Sequence, residues 1–134
     1  MSLGLQGTLT VLQRLDLTLP EEIIHVAGSN GKGTVCAIMA ASLSMNGRKN
    51  VLFTSPHVAR IEERVRRNGT PISSREFDEA LIRIHHAVTG DSNIPPIELT
   101  FFEITYLVAM VASQGCEVLI LETGLGGRLD ATRS

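Results

Sequence analysis

Between residues 23 and 45 an apolar, β-branched run gives way to a helical pattern across the ten residues HVAGSNGKGT, His25 to Thr34. No other stretch constrains the fold as much. A buried strand that hands over to a helix through three glycines and one lysine leaves backbone N–H groups unobstructed at the helix start. The helix then adds its own unsatisfied N–H groups and the positive end of its dipole. Lys32 supplies a full charge for the outer oxygens of an anion. This is the logic of a phosphate cradle, although the G-x-x-x-x-G-K-[ST] pattern is met only in part. Val26 stands where its first glycine belongs, and Gly33 replaces the hydroxyl residue after the lysine. A plain tight turn carrying Gly-Lys-Gly is the alternative.

The rest of the chain repeats the strand-and-helix alternation. Residues 5–15 carry apolar side chains at helical spacing, and Pro20 interrupts the pattern. Residues 23–27 predict a strand, 34–45 a helix stopped at Asn46-Gly47, and 51–54 a second strand closed by Ser55-Pro56. Residues 60–74 are charged and contain Asn68-Gly69, which suggests a long loop with a possible hairpin. Ser73 with Glu76 and Thr100 with Glu103 are spaced as capping boxes. The first opens a helix through Phe77, Leu81, Ile84 and Val88 to about Gly90. The second opens a helix over 101–113, apolar on nearly every side and therefore buried. Residues 91–97 read as a linker. Residues 118–121 form a third strand, ending on Glu122 and a glycine-rich turn at 124–127.

Such alternation predicts an α/β fold: a P-loop NTPase-like, three-layer parallel sheet with helices on both faces. Ligands in such sheets lie beyond the C-terminal strand ends. The three unusual stretches, 28–34, 55–57 and 122–130, all fall there. A net charge of −2 offers no basic field for nucleic acid. No apolar run is long enough to span a bilayer, and no signal-peptide pattern opens the chain. Cys36 and Cys116 are far apart in apolar contexts, which suggests buried thiols in a reducing cytoplasm rather than a metal site. His25, His85 and His86 have no metal-like partners in the sequence.

HVAGSNGKGT, FTSPH, LTFFE and LETGLGGRLDAT occur in this order. Together they resemble the motifs of the folylpolyglutamate synthase/dihydrofolate synthase family within the Mur ligase superfamily. The resemblance runs from about residue 23 to 132. It implies that residues 1–134 are the N-terminal portion of a Mur-ligase-type ATP-binding domain, the family's later parts lying beyond Ser134. It also implies an ATP-dependent ligase that adds L-glutamate to dihydropteroate or folates through an acyl phosphate. The expected cofactors are ATP and Mg²⁺, and the full-length form is expected to be a monomer. Another Mur-type ligase, or a nucleotide-binding module without catalysis, are the alternatives.

Residue by residue, the resemblance assigns Ser29, Asn30, Gly31, Lys32, Gly33 and Thr34 to the ATP phosphates. Ser55 and Glu122 would be metal ligands, with Lys32 and Glu122 taking part in catalysis. Gly33 offers no hydroxyl, so a magnesium ion needs oxygen from elsewhere. Phe102, Asp130 and Ala131 match residues that line the pterin pocket in bacterial members, although Phe102 fits core packing equally well. Ser55-Pro56 as a plain turn and Glu122 as a plain strand end are the structural alternatives. Glu103 is explained by capping, and His57 is given no catalytic role. Arg133 stands where the family usually has Asn.

Overall fold

The computed structural model of the chain describes residues 3–27, 32–55, 59–90 and 97–122. Helix α1 (Leu3–Leu15) leads into strand β1 (Glu22–Val26), helix α2 (Lys32–Met45) and strand β2 (Asn50–Phe53). A 3₁₀ turn at Ile61–Arg64 precedes the hairpin strands β3 (Val65–Arg67) and β4 (Thr70–Pro71). Helices α3 (Ser74–Thr89) and α4 (Phe101–Ala112) and strand β5 (Val118–Glu122) follow.

The five strands form one sheet in the order β1-β5-β2-β3-β4. β1, β5 and β2 run parallel, as the alternation predicts. The sheet as a whole is mixed, because β3 and β4 add antiparallel to the free side of β2. The stretch expected as a loop with a possible hairpin is therefore part of the sheet. Asn68 and Gly69 both have positive φ, 52° and 90°, which suits the tight turn joining these strands. A methyl group on Gly69 would meet no atom within 4 Å, so conformation alone opposes a side chain there. Gly69→Ala is accordingly expected to cost about 1 kcal/mol in a urea titration, without loss of the fold.

The period-2 alternation of β5 sorts its side chains between two cores. Leu119 and Leu121 join Val51, Phe53 and Val65 beneath α1, α3 and α4, packed on Val11, Phe77, Tyr106 and Leu107. Val118 and Ile120 face the other way with Leu52, against Cys36 and Ala40 of α2. Helices thus cover both faces, and α4 is buried along most of its length, as its all-round apolar sequence requires. Cys36 is buried, Cys116 is half-buried, and both are free thiols. Burial pushes the Cys116 thiol above the usual range.

The two caps form, with one difference. Thr100 Oγ1 accepts from the Glu103 N–H at 3.2 Å, and Glu103 Oε1 accepts from the Thr100 N–H at 2.6 Å. At the start of α3, Ser73 Oγ accepts from the Glu76 N–H at 3.0 Å. The Glu76 carboxylate, however, takes both arms of the Arg67 guanidinium. A bidentate charged pair outcompetes the return bond to a neutral N–H. Arg67 also donates to the Ala112 carbonyl at 2.9 Å, so one side chain ties the hairpin to α3 and α4.

Candidate active site

Glu122 is the last residue of β5, the strand between β1 and β2. On one side it lies in register with Val26, where β1 runs into the glycine-rich stretch. On the other, Phe53 pairs with Leu121, which brings Thr54 and Ser55 level with it. The alternation that turns Val118 and Ile120 toward α2 carries Glu122 to the same face. The result is a contact between the two residues expected as metal ligands: the Ser55 N–H donates to Glu122 Oε1 at 3.0 Å.

The Glu122 side of this contact is only 4% exposed. Burying an ionised carboxylate is costly unless donors or a cation compensate it. Ser55 supplies one N–H, and the carboxylate with the neighbouring hydroxyl makes an all-oxygen set that suits a hard divalent ion. Among the described residues no group of three or more His, Cys, Asp or Glu could hold a metal, so water or another ligand would complete such a shell. Both residues line an open groove of about 800 Å³ walled by Ala37, Ala40, Leu52 and Thr54.

Helix α2 begins at Lys32, two residues before the expected start. Lys32 and Gly33 therefore belong to its first turn, where backbone N–H groups have no partner within the helix. Thr34 is exposed in the same turn. Ser29, Asn30 and Gly31 lie outside the described residues, as do Asp130, Ala131 and His57.

Phe102 packs against the larger core, the structural alternative to a place in the pterin pocket. It is half-buried at the start of α4, with its ring centroid 5.5 Å from that of Phe53. Glu103 closes its cap and is buried. His85 and His86 are exposed on α3.

Arg64 lies within the charged stretch 60–74, where residue type and spacing single out no individual residue. Arg64 is only 9% exposed, and its guanidinium carbon lies 5.0 Å from the centroid of the Phe101 ring. Burial lowers its pKa. Its carbonyl accepts from the Thr54 N–H at 2.8 Å, so it flanks the connection that carries Ser55.

No family model matches the chain. The dihydrofolate synthase/folylpolyglutamate synthase of Escherichia coli (strain K12) is 38% identical over 135 residues, covering 98% of this chain and 31% of that protein. A crystal structure of the bifunctional synthase from Yersinia pestis, complexed with AMPPNP and a Mn ion, matches with a TM-score of 0.85 and 41% identity. It is covered over 32% of its length by 98% of this chain. The Escherichia coli FolC structure in complex with DHPP and ADP matches at a TM-score of 0.83 and 39% identity, with 98% and 31% covered. The chain spans about a third of the length of these relatives.

Proposed function

We infer the role of this chain from the family to which it belongs, the folylpolyglutamate synthase/dihydrofolate synthases, of which it spans about a third. Its residues are the N-terminal portion of the ATP-binding domain of a ligase that adds L-glutamate to dihydropteroate or to folates. In that reaction a substrate carboxylate takes the terminal phosphoryl group of ATP, giving an acyl phosphate and ADP. The amine of glutamate attacks the acyl carbon, phosphate leaves, and an amide bond remains.

Within this scheme the first turn of α2 and the residues before it cradle the phosphates. Lys32 balances charge on the transferred group, where a fixed cation stabilises more than water does. Ser55 and Glu122 would hold a magnesium ion, which would supply neutralisation of phosphate charge between the two anionic substrates. Phe102, Asp130 and Ala131 contribute to the pterin side. The full-length form acts on small molecules in the cytoplasm as a monomer. Among the described residues no helix is long and apolar enough to cross a membrane.

The observation that carries this reading is the Ser55–Glu122 contact at the C-terminal end of the central strand, on the α2 face of the sheet. The two relatives' structures with AMPPNP and Mn, or with ADP, support the choice of nucleotide and metal. Calorimetric titration of residues 1–134 with ATP tests it. Binding is expected to tighten by about tenfold or more when EDTA is replaced by Mg²⁺, because the ion would offset the repulsion between the phosphates and the Glu122 carboxylate. Equal affinity in both buffers would count against the metal assignment.

A further inference from the structure

We propose that Glu63 is a positioning residue for the Ser55 side of the site, holding the chain on both sides of the connection that carries Ser55. Before Ser55, the Thr54 hydroxyl reaches the Glu63 carbonyl at 3.5 Å, while the Thr54 N–H is taken by the neighbouring Arg64 carbonyl at 2.8 Å. After it, the Ala59 N–H lies 3.4 Å from Glu63 Oε1 and the Arg60 N–H 3.3 Å from Oε2. The backbone of Glu63 thus meets the chain where it leaves β2. Its carboxylate meets the chain where it returns.

The clasp has a firm base. Ile61 packs against the larger core, and Arg64 is buried. The Ser74 hydroxyl, at the start of α3, accepts from Arg60 Nη2 at 2.9 Å and donates to Glu62 Oε2 at 2.8 Å. An ionised acceptor strengthens the bonds it takes, so the carboxylate suits two converging N–H groups better than a neutral group would. Fixing Thr54 beside Ser55, and Ala59 and Arg60 beyond it, imposes order on these described residues that a metal would otherwise have to impose on binding. The same bonds also cap the 3₁₀ turn, and a cap alone would affect stability but not metal affinity.

The proposal rests on the reading that Ser55 and Glu122 hold a divalent metal. Its test uses residues 1–134 as wild type, Glu63→Ala and Glu63→Gln, with Mn²⁺ binding followed by electron paramagnetic resonance in the presence of AMPPNP. ATP affinity without metal and thermal denaturation are measured in parallel. Glu63→Ala is expected to weaken Mn²⁺ binding by about tenfold, the usual order for an outer partner of a metal ligand, with metal-free ATP affinity unchanged. Glu63→Gln keeps one acceptor oxygen and is expected to weaken it by about threefold. If Glu63→Ala does not fold, Glu63→Gln carries the test alone, and wild-type Mn²⁺ affinity then overturns the proposal. Unchanged Mn²⁺ affinity in Glu63→Ala, or equal losses with and without metal, would overturn it too. Wild type that binds no Mn²⁺ would remove the metal reading and the proposal with it. Wild type that binds beside unaffected variants would remove the proposal alone.

Discussion

Glu122→Ala is expected to abolish most of the metal-dependent part of ATP binding, weakening binding in Mg²⁺ by about tenfold or more, toward its value in EDTA. Two losses combine in this variant. The carboxylate is the buried anion of the site, and it is also the acceptor for the Ser55 N–H at 3.0 Å. Glu122→Gln separates them, because an amide oxygen still accepts that bond but carries no charge. If Glu122→Gln binds Mg²⁺ and ATP as wild type does, the residue merely orients Ser55 and the metal lies elsewhere. If it fails as Glu122→Ala does, the charge is what matters. Circular dichroism on both variants checks that the sheet survives, since removing a buried carboxylate from a strand end need not destabilise it.

A larger effect on stability is expected at Phe53. This ring is fully buried on the central part of the sheet, with centroids 5.5 Å from Phe102 and 6.1 Å from Tyr106. Phe53→Ala removes its transfer free energy, leaves a cavity and breaks both aromatic contacts, a loss of about 3–5 kcal/mol. For a domain of this size the melting temperature should fall by roughly 10 °C or more. Chemical denaturation of wild type and variant measures the difference. A loss below about 1 kcal/mol would mean that α4 closes onto the sheet and fills the space. Phe53 lies two residues before Ser55, so the same variant is expected to loosen the Ser55–Glu122 contact.

Much of this arrangement is legible in the sequence. The caps at Ser73 and Thr100 followed from residue type and spacing, because a side-chain oxygen and the N–H it serves are three positions apart. The turn at Asn68-Gly69 followed from the two residue types that tolerate positive φ. The strand-end positions of Ser55 and Glu122 followed from short apolar runs closed by polar residues. These are local properties, decided within a few residues of each other.

What the sequence did not determine was which strands become neighbours. β5 is the last strand in the chain, yet it inserts between β1 and β2, and only this order sets Glu122 between Val26 and Ser55. Alternation along a strand tells which face a side chain takes, and nothing about the strand beside it. The hairpin's place at the sheet edge, the Arg67–Glu76 pair in place of a full cap, and the Glu63 clasp are of the same kind. Each joins segments whose separation is closed only when helices bury both faces of the sheet. Local chemistry therefore defined the elements and the residue types at their ends, and long-range packing alone brought those ends into one site.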